Sequence, residues 1–426
     1  MKTRAVRLYG KNDLRLEHFE LPPIKQDEIL CSVISDSICM SSYKAAILGA
    51  EHKRVPNNVA DNPIIIGHEF CGDIIEVGSA WAHKYRPGQK YTIQPAMFFP
   101  GSDYITPGYA WPYCGGNATY VIMPREIMEH DCLITYNGNA YFYGSLAEPL
   151  SCLVGAFRAA YHTPPGSFEH IMGIREGGRA LFMAAAGPMG LGAIDYALNA
   201  IIPPSLLVVA DIDGERLNRA ASIYTKEYAK ERGVALHYID TSGEGAYEKL
   251  MALSQGSGYD DIMVFAAVKQ VVEMADALLG RDGCLNFFAG PTDTAFSADI
   301  NFYNIHYNRA HIIGTSGGNA DDMRHALELM SAGRINPSPM ITHIGGLDSA
   351  IETTLNLPSI SGGKKLVYTH ILLPLTAISD FGELGKNSRL FAGLDSICSK
   401  NNGIWNAEAE EFLLANAESS GTGGIK

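Results

Sequence analysis

The chain has 426 residues, of which 46% are hydrophobic and 19% are charged, and its formal net charge is -13. This length exceeds one ordinary hydrophobic core, so two domains are expected, and the composition excludes a disordered chain. The acidic balance argues against nucleic acid or an anionic membrane as a partner, whereas a local basic pocket would still admit a small anionic substrate.

The N-terminus and the cysteines predict a cytoplasmic, reduced protein. The N-terminus is charged and no apolar stretch follows it, so we expect no secretory signal. The most apolar stretch, residues 181–198, is interrupted by glycines, a proline and Asp195, which indicates strand, turn and helix rather than a membrane span. The eight cysteines are scattered and form no CxxC pair, so no disulfide framework is expected.

Residues 1–152 show short alternating segments separated by glycine and proline. The segments 28–33, 72–77 and 91–94 are examples. This rhythm is typical of a twisted, mostly antiparallel β unit.

In residues 153–315, apolar runs of strand length alternate with stretches of helical period. Such alternation predicts βαβ units and a doubly wound parallel sheet that is covered on both faces. The predicted strands are 180–186, 206–210, 235–239, 262–266, 284–289 and 311–314, and the predicted helices include 216–230 and 270–279.

The remaining chain divides into a segment of mixed signals, 316–370, and a C-terminal extension, 371–426. The first ends in the strand-like run Lys364-Lys365-Leu366-Val367-Tyr368, and the small polar residues 419–424 are expected to fray. Helical spacing occurs at 320–332, 391–399 and 407–415.

Four side chains before residue 150 are of the types that bind zinc: Cys39, His68, Glu69 and Glu148. A thiolate, an imidazole and carboxylates suit a tetrahedral ion, and a labile carboxylate or water would leave the exchangeable position that a catalytic zinc needs. Each residue alone is more often a core or structural residue. Together they predict one catalytic zinc.

A second, structural zinc is expected to be absent. Enzymes with this metal signature often hold such an ion on a closely spaced cysteine quartet. Between Gln94 and Val121 only Cys114 is available, and one thiol cannot close a tetrahedral site.

A glycine-containing turn follows the first apolar run of the second segment, at Gly187-Pro188-Met189-Gly190. The glycines allow a tight turn and let backbone amides approach a pyrophosphate at a helix N-terminus, and Pro188 suits a first helical turn. Ala185 stands where the first glycine of such a signature is usual. The turn therefore predicts a dinucleotide site.

Asp211 ends the next apolar run, where a carboxylate can bind ribose hydroxyls and repel a 2′-phosphate. This position favours NAD(H). Arg216 is close enough in sequence to keep NADP(H) open.

These motifs resemble those of the medium-chain, zinc-dependent alcohol and polyol dehydrogenases. The resemblance implies a GroES-like catalytic domain built from both ends of the chain, with a Rossmann domain between. It rests on residues 38–42, 67–72, 147–150 and 187–190 with Asp211. A closer likeness, to bacterial L-sorbose-1-phosphate reductases, covers roughly residues 1–375 and rests on 67–72, 284–291, 300–303, 314–319 and 362–368.

The resemblance also implies roles for the metal-binding side chains. Cys39 and His68 match zinc ligands of the family. Glu69 matches a residue that either binds zinc or holds its water, and Glu148 matches the glutamate of polyol-type members that supplies the remaining ligand.

A proton relay is implied by the same likeness. Ser41 matches the hydroxyl that passes the alcohol proton. The chain departs from the family pattern at Ser42, which replaces a common aspartate, and at Lys44, which stands where a histidine often ends the relay.

The implied reaction is reduction of L-sorbose 1-phosphate to D-glucitol 6-phosphate, with zinc as Lewis acid and a nicotinamide as hydride donor. One alternative is a dehydrogenase of another polyol or hexitol phosphate, of the sorbitol or galactitol-1-phosphate type. Another is a nicotinamide-binding protein without turnover, which the retained ligands disfavour.

The phosphate of such a substrate needs a cationic anchor, for which the basic run His52-Lys53-Arg54 is a candidate. The alternative is a solvated charge cluster. Lys364-Lys365 is a weaker candidate, since paired lysines before a strand are often at the surface. A homo-oligomer, dimer or tetramer, is expected from the family, paired through an edge strand near 286–291.

Overall fold

The computed structural model describes residues 1–97 and 105–421, and the chain divides into two compact units. The first consists of Met1–Pro149, Asn319–Ser331 and Ile341–Lys426, and the second of Leu150–Gly318 and Ala332–Met340. The domain limits set from the sequence, 1–152, 153–315, 316–370 and 371–426, stay predictions.

The N-terminal part of the chain is built mainly of strands. They are β1 Lys2–Gly10, β2 Asp13–Glu20, β3 Ile29–Ile38, β4 Ile64–Ile65, β5 Phe70–Val77, β6 Lys90–Ile93, β7 Tyr120–Met123 and β8 Leu133–Thr135. The helices of this part are α1 Met40–Leu48, α2 Arg125–Glu129 and α3 Phe142–Ala159.

The second unit alternates strands and helices. Its strands are β9 Tyr161–His162, β10 Ile171–Met172, β11 Arg179–Met183, β12 Leu206–Asp211, β13 Ala235–Asp240, β14 Tyr259–Val264, β15 Leu279–Phe287 and β16 His311–Gly314. Its helices are α4 Pro188–Asn199, α5 Gly214–Ile223, α6 Lys226–Lys230, α7 Ala246–Leu253, α8 Lys269–Leu278 and α9 Phe302–Tyr307.

The C-terminal part returns to the first unit. It adds α10 Ala320–Ser331, β17 Ile341–Gly346, α11 Ala350–Asn356, β18 Lys364–Tyr368, β19 Thr376–Ala377, α12 Phe381–Leu384, α13 Arg389–Ser399 and α14 Ala407–Asn416.

The main sheet of the first unit runs in the order β19-β17-β18-β3-β5-β6-β8, with β7 also paired to β3. Its pairs are antiparallel except β17 with β18. The mostly antiparallel unit predicted from the sequence is confirmed. Every residue of the central strand β3 is buried, because strands from both ends of the chain flank it.

The sheet of the second unit contains six parallel strands in the order β13-β12-β11-β14-β15-β16. This is the doubly wound arrangement predicted from the sequence. The order reverses between β11 and β14, and ligands of such sheets bind outside the carboxyl ends of the strands at this switch point.

Three details of the sequence prediction are wrong in this unit. The helix predicted at 216–230 is two helices, α5 and α6, because Thr225 caps a new N-terminus by accepting from the amide of Tyr228. The first strand ends at Met183, since Ala184 has φ 55° and turns the chain. Residues 286–291 do not form an edge, because β15 lies between β14 and β16.

The C-terminal extension belongs to the first unit and shares an apolar core with α3, β17 and β18. Phe381, Leu394, Trp405 and Leu413 are fully buried there together with Tyr368 of β18. Of the stretch 419–424 that was expected to fray, residues 422–424 lie outside the described residues. Ser419 forms a β-bridge with Ile371, and the amide of Ser420 donates to the carbonyl of His370, so these two residues are held against the first unit. None of the helices within the described ranges combines the length and apolarity that crossing a membrane requires.

Candidate metal centre and nucleotide-binding turn

Cys39, His68 and Glu69 come together at the ends of two neighbouring strands. Cys39 follows β3 and caps the N-terminus of α1 in extended conformation, whereas His68 and Glu69 directly precede β5. Because β3 and β5 are paired antiparallel, and the amide of Ser37 donates to the carbonyl of Glu69, the two turns are adjacent. One ligand atom from each of the three side chains lies within 4.8 Å of the others.

Gly67 is required for this turn. Its φ of +96° is in the region that favours glycine. A Cβ at this position would lie 2.3 Å from Nδ2 of Asn117 and 2.6 Å from Oδ2 of Asp36. The residue before His68 therefore cannot carry a side chain without displacing a buried polar pair.

The imidazole of His68 is oriented by two hydroxyl groups. Its Nδ1 lies 3.3 Å from Oγ of Ser42 and 3.1 Å from Oη of Tyr109. These contacts leave Nε2 as the ring nitrogen suited to a metal. Burial lowers the pKa of His68 to about 4, so the imidazole is neutral and offers a lone pair.

Glu69 is paired with Lys364, the first residue of β18. Both carboxylate oxygens lie 2.6 Å from Nζ of Lys364, and both side chains are buried. Burial alone would raise the pKa of Glu69, but the ammonium of Lys364 outweighs it and lowers the pKa. Burial would lower the pKa of Lys364, but the Glu69 carboxylate raises it, so the pair is ionised.

The expectation that Lys364 and Lys365 are surface residues is wrong. Lys364 pairs with Glu69, and Lys365 is buried with its ammonium donating to the carbonyls of Ile360, Ser361 and Gly363. The strand is buried throughout, so neither lysine has a solvent-facing position.

Glu148 lies near this centre but outside the group of three. It is buried in α3, and its charge contributes to raising the pKa values of Cys39 and Lys364. Burial is the main cause of the raised pKa of Cys39, about 12, so a metal that binds there displaces the thiol proton. The place of Glu148 in a ligand set stays a prediction.

Ser41 and Lys44, the predicted relay residues, both lie on α1. Oγ of Ser41 is 3.6 Å from Sγ of Cys39, and the Ser41 hydroxyl partly offsets the rise that burial causes in the pKa of Tyr109. Lys44 is half-buried, and its charge helps to lower the pKa of His52. Ser41 is thus beside the candidate ligands, and Tyr109 joins it to His68.

Tyr109 is the residue that sequence reasoning missed. It is fully buried, its hydroxyl contacts His68, and its ring stacks on His52 at 5.6 Å between centroids. The guanidinium of Arg54 lies 5.5 Å from the same ring centroid. The sequence around Tyr109 shows no strand or helix pattern and no binding motif, so nothing in it indicated a role for this residue.

The three residues of the basic run differ in the structure. Burial, aided by Arg54, Lys53 and Lys44, lowers the pKa of His52 to about 4, so His52 is neutral and not a cation. Lys53 is exposed, whereas Arg54 is half-buried against Tyr109. Within the described residues, Nε of Arg54 is buried without a hydrogen-bond partner.

The glycine turn of the second unit connects β11 to α4. Gly187 is the N-cap of α4 and has no side chain with which to cap the first amides, and Pro188 opens the helix. A Cβ on Gly190 would lie 1.8 Å from the carbonyl oxygen of Ala185, so close packing requires glycine there. At Gly187, by contrast, a Cβ would meet no atom within 4 Å.

This turn fits a pyrophosphate. The first amides of α4, which Gly187 cannot cap, are of the kind that bind anions at a helix N-terminus. The open space at Gly187 leaves room for a pyrophosphate there. Met189 is half-buried in the first helical turn.

Asp211 stabilises the turn from the neighbouring strand. One carboxylate oxygen accepts from the amide of Ala186 at 2.9 Å, and the other accepts from the amides of Ile212 and Asp213. Arg216 is exposed and paired with Asp213 at 3.1 Å. Asp211, on which the NAD(H) prediction rests, is thus the last residue of β12, and Arg216, which kept NADP(H) open, lies in the first turn of α5.

Comparison with known proteins gives two family matches. Residues 25–130 match the alcohol dehydrogenase GroES-like domain, and residues 188–332 match the zinc-binding dehydrogenase domain.

Full-length relatives are similar over nearly the whole chain. The L-sorbose 1-phosphate reductase of Klebsiella pneumoniae is 51% identical over 416 residues, covering 98% of each chain. The mannitol-1-phosphate 5-dehydrogenase of Aliivibrio fischeri is 51% identical over 414 residues, covering 97% of each. Among solved structures, 2R,3R-butanediol dehydrogenase of Bacillus subtilis has a TM-score of 0.68 at 21% identity, covering 86% of this chain and 99% of its own.

Proposed function

Since this chain belongs to the zinc-binding dehydrogenases with a GroES-like domain, we propose that it reduces L-sorbose 1-phosphate to D-glucitol 6-phosphate. The family makes the chain an oxidoreductase of the polyol and sugar-phosphate type that uses zinc and a nicotinamide. In the proposed reaction the ketone carbon takes a hydride, its oxygen takes a proton, and the reduced nicotinamide becomes oxidised.

The observation that carries this proposal is the group of Cys39, His68 and Glu69. A thiol, a neutral imidazole and a carboxylate within 4.8 Å of one another are a donor set for zinc. A bound zinc would supply Lewis acidity toward the sugar oxygen, and a bound nicotinamide would exchange hydride with the sugar carbon. Lys364 holds the Glu69 carboxylate ionised.

Ser41 is the proposed proton donor to the sugar oxygen. Its hydroxyl lies beside Cys39 and interacts with Tyr109. A proton given by Oγ of Ser41 would be replaced from Oη of Tyr109 or from Lys44 on the same helix. Tyr109 thus joins the relay that the sequence assigned to Ser41 and Lys44.

Arg54 is the proposed anchor for the substrate phosphate. Its guanidinium lies over Tyr109, which contacts His68, so it is near the proposed zinc. Its buried Nε without a partner in the described chain is a donor that a phosphate oxygen would satisfy. His52, being neutral, would donate a hydrogen bond at most, and Lys53 is exposed.

A second candidate is oxidation of a hexitol phosphate such as mannitol 1-phosphate. It is favoured by the Aliivibrio fischeri relative, which is as similar to this chain as the reductase. Both relatives are named for a phosphorylated six-carbon substrate, so the proposed phosphate anchor would serve either reaction.

The test is a kinetic panel that follows nicotinamide absorbance. The purified protein is offered L-sorbose 1-phosphate, D-fructose phosphates, mannitol 1-phosphate and the phosphate-free sugars, with NADH or NADPH and their oxidised forms. We expect the highest kcat/KM for L-sorbose 1-phosphate with NADH. Equal turnover of free and phosphorylated sugar would contradict the proposal, as would full activity after zinc has been removed by a chelator.

A further inference from the structure

A buried carboxylate of the C-terminal extension bonds to two elements of the proposed metal centre. Glu410 lies on α14 and is 2% exposed. It accepts hydrogen bonds from the amides of Tyr141 and Phe142, at 2.5 and 2.9 Å, and from Oη of Tyr368 at 2.8 Å. None of these three donors belongs to the extension.

The first two donors form the N-terminus of α3, the helix that carries Glu148. A carboxylate at this point satisfies amides that have no partner within the helix and complements the helix dipole. Tyr141 is also bound to β5, because its hydroxyl donates to Asp73 and its carbonyl accepts from Sγ of Cys71. Glu410 thereby fixes the start of α3 against the strand that follows Glu69.

The third donor ends β18, the strand that begins with Lys364. Oη of Tyr368 donates to Glu410 and accepts from Nε1 of Trp405 at 3.0 Å. Trp405 and Tyr368 are both fully buried. The extension therefore holds one end of β18, while the other end provides the ammonium that pairs with Glu69.

We propose that Glu410 is a positioning residue of the metal centre, whose three hydrogen bonds, and not the general packing of α14, set the places of Glu148 and Lys364. The inference rests on the proposed function, in which both belong to the zinc site. Burying a carboxylate costs free energy unless it is hydrogen-bonded, so an apolar residue would serve packing alone better. A carboxylate is suited to this position because it can accept hydrogen bonds from all three donors, which belong to α3 and β18.

The test compares Glu410→Ala and Glu410→Gln with Leu413→Ala. Leu413 is fully buried on the same helix and packs in the apolar core of the extension, so its truncation loosens α14 without removing a polar contact. For each protein we would measure the zinc dissociation constant by chelator competition, the visible spectrum of the cobalt(II)-loaded form and the thermal midpoint. Glu410→Gln keeps one acceptor oxygen and serves if Glu410→Ala does not fold.

We expect Glu410→Ala to raise the zinc dissociation constant by up to about 10-fold, which is the smallest effect of losing a direct partner of a metal ligand, and to alter the cobalt(II) spectrum. Glu410→Gln should fall between it and the wild type, and Leu413→Ala should lower the thermal midpoint with zinc affinity and spectrum unchanged. Unchanged zinc binding in both Glu410 variants would overturn the inference alone. A wild-type protein that binds no zinc would overturn the proposed function as well.

Discussion

Arg54 and Lys53 are adjacent cations with different environments, so they offer a matched test of the phosphate anchor. Arg54 is half-buried over Tyr109, and Lys53 is exposed. We expect Arg54→Ala to raise KM for the phosphorylated sugar about 10- to 100-fold, the loss of one or two charge-assisted hydrogen bonds. Lys53→Ala should change KM less than about 3-fold, since exposed charges interact weakly.

Kinetics with the phosphate-free sugar distinguish a loss of phosphate binding from a general loss of activity. Arg54→Ala should leave kcat/KM for the free sugar unchanged, because no phosphate is present to lose a partner. A similar KM increase in both variants, or an equal loss for free and phosphorylated sugars, would show that Arg54 does not bind the phosphate.

Lys364 and Glu69 are a buried ion pair in which each residue depends on the other. Lys364→Met would leave a buried carboxylate without its cation, so we expect the free energy of unfolding of the metal-free protein to fall by about 3–5 kcal/mol. Glu69→Gln should recover part of that loss in the double variant, because it removes the unpaired charge. Denaturant unfolding of the four proteins measures the coupling, and additive losses would contradict the pair.

At the scale of secondary-structure elements, turns and helix ends decide where the site residues lie. The periodicity of the second unit predicted its strands well, since parallel strands buried on both faces are continuous apolar runs. It did not predict the break between α5 and α6, because a single cap at Thr225 decided it. The candidate ligands were predictable from residue type, as zinc accepts few donors.

The partners of these residues were not predictable from local pattern. Lys364 is 295 positions from Glu69, and Glu410 is 268 positions from Phe142. Neither spacing leaves a periodic signal. The pairing of β18 with β3 brings Lys364 near Glu69, and the contacts of α14 with α3 and β18 bring Glu410 to Phe142. One general signal was available, because a buried acid beside a metal site requires a cation. Lys364 was considered only as a weaker phosphate anchor, so its pairing with Glu69 was missed.

Two glycines of the nucleotide turn give a matched pair of substitutions. Gly190→Ala places Cβ against the carbonyl of Ala185, so we expect a loss of at least about 2 kcal/mol in unfolding free energy and no NADH binding. Gly187→Ala meets open space and has an ordinary φ of -81°, so the fold should be unchanged.

The ligand readout distinguishes the two. Fluorescence titration with NADH should show weaker binding to Gly187→Ala, because the added methyl group occupies the space left for a pyrophosphate. Unchanged NADH affinity in a folded Gly187→Ala protein would show that the pyrophosphate does not approach this turn.

Across the whole molecule, each unit contains a buried acid whose pKa is displaced upward. Burial raises the pKa of Glu410 in the first unit to about 7 and that of Asp195 in the second unit to about 7. Both accept hydrogen bonds from backbone amides, of Tyr141 and Phe142 for Glu410 and of Asn336 for Asp195. Each of these two acids should therefore contribute more stability in mild acid than at neutral pH, whereas the neutral imidazoles of His52 and His68 in the first unit contribute in the opposite direction.

The sign follows from proton binding. The ordinary pKa of Glu410 is 4.5, so between about pH 4.5 and 7 the folded chain retains a proton that the unfolded chain has released. The free energy of unfolding falls as pH rises through this window, by about 3 kcal/mol for this one group. Below about pH 4.5 Glu410 is protonated in both the folded and the unfolded chain, so its full contribution to the free energy of unfolding is present.

Glu410→Gln isolates this contribution, because the amide does not titrate while Asp195 and the other carboxyls remain. We expect the thermal midpoint of the wild type to fall relative to that of the variant as pH rises from 5 to 8. A wild type that is more stable than the variant at pH 5 would lose part or all of that advantage by pH 8. Asp195→Asn should do the same for the second unit, and the double variant should show both effects. If the thermal midpoint of the wild type instead rises relative to that of Glu410→Gln as pH rises, the three donors around Glu410 hold it ionised in the folded chain.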